Sequence, residues 1–429
     1  MSEVSLDSLA KELENALDRD AEVLLGYSGG LDSAVLLHVA VRALGPQRLR
    51  VLHCDHGIAT ESAEWADFCR TQVAGLGLRL HIERLHLGAA TNEGRARAAR
   101  YRCFETVLAG LRRPVLLLAH HADDQVETLL FRLLRGAGPR GLCGIPRTRP
   151  IGQGGRLYRP FLNLRKAQLR NLAETAGIAW IDDPSNAQTH ADRNHIRNRL
   201  LPPIAERWPV AARRIARAGQ LQAESHCLLE AYADELLARA DRRPADFGCS
   251  YDLTVLAALP EAQFALCIRR LLETELGAQV SREQGRQIRA QFVESRPDGT
   301  PRMDFAAGSL RRFAGRLYLL QTMPDPLPSA STFDWDSRAE LSLPPLGRLR
   351  QRTGNPAQFR VRFRQAGERV WMAGATHSKS LKSLLQEQGI EPWLRDRLPL
   401  IFHRDKLVTV ADRRRFTQVD FVWQWGVED

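Results

Sequence analysis

The chain has 429 residues, of which 44% are hydrophobic, and its formal net charge is +11. This length indicates two or three domains, and no apolar run approaches the roughly 20 residues that cross a bilayer. The first residues lack the pattern of a secretory signal and the seven cysteines form no Cys-x-x-Cys pair, so we expect a cytoplasmic location, no membrane partner and no structural zinc or cluster.

The first part of the chain alternates short apolar runs with helical patterns, which predicts a doubly wound, mostly parallel α/β sheet. Strands are predicted at Val23–Tyr27, Leu49–Cys54, Leu78–Glu83 and Val115–Ala119, and helices at 33–44, 61–76 and 93–108. Ligands of such sheets bind beyond the carboxyl ends of the strands. Three segments lie at such ends and are expected to converge, namely Ser28–Ser33, Asp55–His56 and His120–Asp124.

Beyond residue 205 this alternation stops. Helical patterns then cover Ala211–Ala240 and Pro260–Leu276, and a short hairpin is predicted over 309–313 and 315–320. We expect a catalytic domain over residues 1–205, a mainly helical domain over 206–322, a proline-rich linker over 323–331 and a small mixed α/β domain over 332–429.

The segment Ser28-Gly29-Gly30-Leu31-Asp32-Ser33 joins the first strand to the first of these helices. The two glycines permit positive φ and a close backbone approach to a ligand, while first-turn N–H groups and serine hydroxyls suit a phosphate. The motif is neither a Walker A loop nor Gly-x-Gly-x-x-Gly. It resembles the signature of the PP-loop ATP pyrophosphatases. That resemblance implies that all six residues contact ATP, whose α-phosphate reacts as pyrophosphate leaves.

A second polar cluster, His120 to Thr128, follows the strand at Val115–Ala119. On a helix Asp123 and Glu127 share one face. A solvated first turn is one interpretation, since carboxylates favour a helix N-terminus. Zinc fits the adjacent acidic pairs poorly, whereas Mg²⁺ held by one or two carboxylates and substrate phosphates fits them better.

The motif His-His-x-Asp-Asp-Gln-x-Glu-Thr after a PP-loop is similar to that of the tRNA(Ile)-lysidine synthetase family. Further similar segments lie at 93–101, 135–145, 158–165, 180–186 and 193–197, and looser ones at 367–369 and 379–393. The resemblance therefore spans nearly all of residues 22–203.

The family resemblance implies an ATP-dependent ligation of L-lysine to C2 of the wobble cytidine of the isoleucine tRNA with a CAU anticodon. An adenylated tRNA is the intermediate, and lysidine, AMP and pyrophosphate are the products. The implied catalytic residues are Asp32, Asp123, Asp124 and Glu127. Asp32 would hold Mg²⁺ or shape the loop, with helix capping as the alternative. Asp123, Asp124 and Glu127 would bind lysine, and one of them would accept its proton.

The arginine-rich positive charge favours a nucleic-acid partner, although a GC-rich genome raises arginine content too. The residues expected to contact tRNA are Arg97, Arg140, Arg193, Arg197, Lys379 and Lys382. The Arg413-Arg414-Arg415 run is a further candidate or simply a solvated face. A homodimer is left open.

Three alternatives remain. Other PP-loop tRNA enzymes such as thiolases generally need paired cysteines, and amidotransferase relatives need an ammonia source. A nucleotide-gated RNA-binding protein without turnover is the alternative from a different class.

Overall fold

A computed structural model describes residues 4–55, 62–85, 93–182, 192–296, 299–372, 377–411, 414–415 and 420–426. Three parts of the predicted motifs lie outside these residues, namely His56, Asp183–Asn186 and Arg413. The chain divides into two compact units, residues 1–228 and 229–429. The division falls within one long helix, Ala211–Ala238.

The first unit alternates strands and helices, as predicted. Its strands are β1 Val23–Gly26, β2 Leu49–Asp55, β3 Leu80–Arg84, β4 Val115–Leu117, β5 Thr148–Ile151 and β6 Gly155–Tyr158. Its helices are α1 Leu6–Ala16, α2 Leu31–Leu44, α3 Ser62–Gly75, α4 Glu93–Leu108, α5 Ala122–Leu134, α6 Lys166–Thr175, α7 Asp192–His195, α8 Leu201–Arg207 and the start of α9 Ala211–Ala238. A π-helical turn, Ile196–Leu200, joins α7 to α8.

The six strands form one sheet in the order β3-β2-β1-β4-β6-β5, parallel except for β5. Neighbouring residues of β1 pack on opposite faces of the sheet. Leu25 packs in the core with α1, α2 and α6, whereas Leu24 packs with Phe104 of α4. The predicted doubly wound α/β fold is therefore confirmed. Because β2, β1 and β4 are parallel neighbours, the segments that follow them lie at one edge of the sheet.

The second unit is richer in strands than predicted. Its strands are β7 Arg243–Ala245, β8 Gly248–Asp252, β9 Arg302–Phe305, β10 Gly308–Phe313, β11 Arg316–Gln321, β12 Thr332–Trp335, β13 Leu341–Leu343, β14 Gly347–Thr353, β15 Phe359–Arg362, β16 Arg369–Met372, β17 Ser378–Ser380, β18 Leu400–His403, β19 Lys406–Val410, β20 Arg414–Arg415 and β21 Asp420–Trp425. Its helices, besides the end of α9, are α10 Leu253–Ala257, α11 Glu261–Leu276, α12 Arg282–Phe292 and α13 Leu381–Glu387.

The predicted hairpin, now β10–β11, belongs to a five-stranded sheet with the order β7-β8-β11-β10-β9. Two of the added strands, β7 and β9, are only three and four residues long and carry no apolar run that would identify them in the sequence. The remaining strands form a seven-stranded and a three-stranded sheet.

The proline-rich segment 323–331 contains no helix or strand, yet it packs against the protein. Met323 and Leu327 contact the core of the last hundred residues, and Arg397 Nε donates to the carbonyl oxygen of Pro324 at 2.8 Å. Among the described residues, no helix has the combination of length and apolar character that a bilayer span requires.

Candidate active site at the carboxyl edge of the parallel sheet

The loop between β1 and α2 is built from interlocking serine hydroxyls. Ser33 Oγ donates to the carbonyl oxygen of Gly30 at 2.9 Å and accepts from the Ser28 backbone N–H at 3.2 Å. The two hydroxyls, Ser28 Oγ and Ser33 Oγ, lie 3.0 Å apart. Gly30 precedes α2 and has no side chain, and among the described residues no side-chain cap bonds the start of this helix. The first-turn N–H groups of α2 are therefore available to an anion bound at the loop.

Gly29 is the residue that fixes the shape of this loop. Its φ is +80°, a backbone conformation that glycine adopts readily and other residues rarely do. A Cβ at this position would lie 2.7 Å from Cys69 Sγ. The Gly29 carbonyl also accepts a hydrogen bond from the Ile181 backbone N–H at 2.9 Å. The loop is thus held between α3 and the segment after α6, with no space for a side chain.

His121 begins helix α5 and points toward the loop. Its Nδ1 accepts from the Asp123 backbone N–H at 3.2 Å, and its own backbone N–H donates to Asp124 Oδ2 at 2.8 Å. These two bonds form a reciprocal capping box. Since Nδ1 is an acceptor, the neutral ring carries its proton on Nε2, which lies 3.6 Å from Asp32 Oδ2. One imidazole therefore joins α5 to the first turn of α2.

Several charges compete over the protonation of His121, which is only 3% exposed. Burial disfavours the imidazolium, but the carboxylates of Asp32, Asp124 and Asp123 outweigh burial and raise the pKa of His121 above its usual value. The Asp123 N–H bond to Nδ1 opposes them, because it requires the neutral ring.

Two of the three predicted lysine-binding carboxylates are already engaged by the protein. Asp123 accepts from Arg165 Nε at 3.0 Å and from the backbone N–H of Lys166 at 2.8 Å, so it also stabilises the start of α6. Glu127 accepts two hydrogen bonds from Arg197, at 2.6 Å and 2.9 Å. Asp124 Oδ1 is more loosely held, with Arg197 Nη2 at 3.7 Å. Of these three, Asp124 is therefore the carboxylate most available to an ammonium group.

Glu127 and Arg197 form a bidentate pair at the rear of the acidic cluster. The Glu127 side chain is almost fully buried, and this burial raises its pKa although Arg197 lowers it. In turn the neighbouring carboxylates outweigh burial and raise the pKa of Arg197. The pair ties α5 to the π-helical turn that contains Arg197.

His120, next to His121, faces positively charged groups, whereas His121 faces carboxylates. Its Nδ1 accepts from Arg159 Nε at 3.3 Å, and burial together with Arg159 lowers its pKa well below the usual value. Nearby, Tyr101 lies between two guanidinium groups, with Arg97 and Arg149 at 5.0 Å and 4.9 Å from the ring centroid. Burial opposes ionisation of Tyr101, but these arginines outweigh it and lower the pKa. The site thus has a basic side and an acidic side.

The structure brings the predicted catalytic residues together. Asp32, Asp123 and Asp124 all lie within 3.7 Å of the His121 ring, and Glu127 lies on the same helix. Asp55, at the end of β2, lies at the same edge and is 4.0 Å from Arg84 Nε. No role was predicted for His121, and Arg159 and Arg165 fell within the similar segment 158–165 without a predicted role. The position of His121 between a predicted strand and a predicted helix start is the signal that would have identified it as a cap.

The predicted tRNA contacts are distributed over both units. Arg197 lies inside the site on Glu127, whereas Arg97 on α4 donates to the hydroxyl of Tyr101 at 3.3 Å. In the second unit, Lys379 pairs with Glu387 and Lys382 is exposed on α13. Arg140 precedes a 3₁₀ turn and Arg193 lies on α7. Their contacts with RNA stay predictions.

Asp32 has an acceptor atom at the phosphate-binding loop that fits a bound metal ion. Its Oδ1 is buried and has no hydrogen-bond partner among the described residues, which is costly for a carboxylate oxygen. No group of three or more His, Cys, Asp or Glu side chains in the described part of the chain is arranged to hold a metal ion. The donor set therefore fits Mg²⁺ held by one carboxylate with the remaining ligands from substrate phosphates and water.

Family models match most of the chain: a PP-loop domain over residues 2–204, a TilS substrate binding domain over 252–318 and a TilS substrate C-terminal domain over 359–419. Curated relatives named tRNA(Ile)-lysidine synthase are similar over nearly their whole length. The relative from Alkalilimnicola ehrlichii is 36% identical, covering 97% of this chain and 95% of its own. Those from Pseudomonas aeruginosa and Xanthomonas campestris are 39% and 34% identical, covering 90% and 94% of this chain and 89% and 93% of their own.

We expect Arg197→Met to destabilise the protein by about 3 kcal/mol, because it leaves the buried Glu127 carboxylate without its partner. Adding Glu127→Gln should restore most of the loss. The exposed Arg199→Met serves as the matched control, with less than about 0.5 kcal/mol expected. Urea denaturation of the four proteins measures these differences, and a full loss in the double variant would contradict the pairing.

We expect His121→Ala to cost about 1 kcal/mol and His121→Asn much less, because asparagine is itself a good helix cap. The pH dependence tests the charge. Because the folded pKa of His121 is raised, the extra stability of wild type over His121→Asn is fully present below about pH 6.5. It is lost as the pH rises through the higher folded pKa. Urea denaturation at several pH values measures this difference, and a difference that grew toward alkaline pH would contradict the raised pKa.

Proposed function

The chain belongs to the tRNA(Ile)-lysidine synthase family, and we propose that its acidic cluster beside the Ser28–Ser33 loop joins L-lysine to C2 of the wobble cytidine of the CAU-anticodon isoleucine tRNA. The observation that carries this proposal is the junction at His121, whose Nε2 lies 3.6 Å from Asp32 Oδ2 and 3.7 Å from Asp124 Oδ2. A phosphate-binding loop and an ammonium-binding cluster thereby share one site. The reaction needs both, because ATP must first activate the cytidine at O2 and the amine must then replace that oxygen at C2.

In the first step, the cytidine O2 attacks the α-phosphorus of ATP and pyrophosphate leaves. The first-turn N–H groups of α2 and the hydroxyls of Ser28 and Ser33 bind the departing phosphates. Asp32 would hold Mg²⁺ through its unpartnered Oδ1, and the ion supplies positive charge to the phosphate oxygens. On the basic side of the site, Arg97 and Arg159 supply further positive charge near the reacting groups.

In the second step, the lysine ε-nitrogen attacks C2, the C2–O2 bond breaks, and AMP leaves with its electron pair. The ε-ammonium has a pKa near 10.4 in water, so it must lose a proton before it attacks. We assign ammonium binding and proton acceptance to Asp124, since Oδ1 is its less occupied oxygen. Glu127 holds Arg197 next to Asp124, and Asp123 positions the start of α6 next to the acidic cluster.

Recognition of the rest of the tRNA is assigned to the chain beyond residue 205, with residues 206–322 and 332–429 as its domains. The two TilS substrate-domain matches support this assignment. The homodimer and the cytoplasmic location stay predictions.

We expect the wild-type protein to release pyrophosphate continuously only when ATP, the tRNA and lysine are all present. Without lysine, at most a single equivalent is released as the adenylated tRNA accumulates. Asp32→Asn should lower the rate at least about a hundredfold without unfolding the protein, because it removes the charge at the phosphates. Continuous pyrophosphate detection measures both. Turnover that continues without lysine, or no turnover with all three, would refute the assignment, and the second result would favour an RNA-binding protein without catalysis.

The lysine site is tested by two variants of the same charge change. We expect Asp124→Asn to raise the lysine KM by at least about tenfold, since it removes the charge that faces the ammonium. Asp123→Asn should change the lysine KM little, because Asp123 is bound to Arg165 and Lys166, and lower the stability instead. Initial rates over a range of lysine concentrations give both constants. A larger KM effect for Asp123→Asn would reverse the two roles.

A further inference from the structure

A pocket of about 750 Å³, separate from the acidic cluster, lies within residues 1–228 between α5, the segment that precedes α6 and the first half of α9. Its volume is within the range of roughly 300–1,000 Å³ that is usual for ligand sites. The pocket and the acidic cluster lie on different faces of α5. With 100° per residue, Ala122, Val126 and Leu129 share one side of the helix. Asp124 and Glu127 lie roughly 130–170° away from it, and Asp123 lies between the two sides.

The composition of this pocket suits a nucleotide. Val126, Leu129 and Leu162 supply an apolar floor, and α9 adds Arg213, Arg214 and Arg217. All three arginines are exposed, and in the described part of the chain none of them makes a hydrogen bond or an ion pair. In contrast, Arg270 of α11 is paired with Glu230 and Asp234. An apolar surface with free guanidinium groups excludes an ammonium or a metal ion but fits a base and its phosphate.

The pocket shares a wall with the active site. Arg165 lines it and also donates to Asp123 Oδ1 at 3.0 Å. An α-helix with its side chains is about 10–12 Å across, which neighbouring nucleotides of an unstacked strand can span. The close seating of α9 maintains the pocket, since a Cβ on Gly219 would lie 2.7 Å from Leu129 Cδ1.

We propose that this pocket binds an unstacked nucleotide of the tRNA anticodon loop, within two positions of the reacting cytidine. The base lies on Val126, Leu129 and Leu162, and its phosphate contacts the arginines of α9. The pocket would thus hold the loop open while the cytidine occupies the site on the other side of α5. This inference rests on the proposed function, because it requires tRNA as the substrate.

The experiment uses the full chain and an RNA stem–loop carrying the CAU anticodon. Arg214→Glu and Arg217→Glu, made singly and together, remove the positive rim, and Arg79→Glu is the control that matches each single variant in charge. Arg79 is exposed just before β3, at the opposite edge of the sheet. We expect the double variant to bind the stem–loop at least about tenfold more weakly, with the salt slope reduced by about one per lost phosphate contact. Arg79→Glu should leave the slope unchanged, and equal effects of the double variant and the control would overturn the proposal.

A second variant, Ala216→Trp, fills the pocket without a charge change. Stem–loops with an abasic residue at each position flanking the cytidine are then compared. We expect one abasic position to weaken binding to wild type about tenfold, consistent with the contribution of a stacked base, and to have no effect on Ala216→Trp. Equal losses with both proteins would overturn the proposal.

A free nucleotide such as ATP could occupy the same pocket in place of a tRNA nucleotide, and the ATP affinity of the variants distinguishes the two occupants. We expect Ala216→Trp and the double variant to bind ATP as wild type does. Loss of ATP binding with unchanged binding of the stem–loop would overturn the assignment to tRNA. Lysine-dependent pyrophosphate release by wild type is measured first. If it is present and the pocket variants behave as wild type, the pocket proposal alone fails.

Discussion

The reciprocal cap at His121 is the interaction on which the site depends. This residue follows β4, caps the start of α5 with its ring and backbone N–H, and directs Nε2 toward Asp32. The carboxylates of α5 are therefore placed relative to the phosphate-binding loop by hydrogen bonds of fixed geometry. Since Asp124 is at once a partner in this cap and a neighbour of Arg197, the position of the proposed lysine ligand follows from the start of the helix.

Two adjacent histidines separate charges of opposite sign. His120 accepts from Arg159 on the basic side, and His121 faces Asp32 and Asp124 on the acidic side. Successive residues of an extended segment point in opposite directions, so this short stretch after β4 can serve both. The separation matches the substrates of the proposed reaction, because phosphates need positive charge and the lysine ammonium needs negative charge.

The fold of residues 1–228 was largely predictable because its signal is local. The apolar run of β1 and the glycines that follow it identify the strand, loop and helix within a few residues. The converging acidic residues were also predictable, since parallel strands bring their carboxyl ends to one edge. What could not be predicted are contacts between distant segments. Nothing in the sequence pairs Glu127 with Arg197 or Asp123 with Lys166, and the short strands β7 and β9 depend on neighbours far along the chain.

The buried Oδ1 of Asp32 links ligand occupancy to thermal stability. A desolvated carboxylate oxygen without a partner among the described residues weakens the folded state, and a cation bound there in the proposed ATP complex would offset part of this cost. Occupancy and melting temperature are therefore coupled through this atom, because a ligand that binds only the folded chain shifts its unfolding equilibrium.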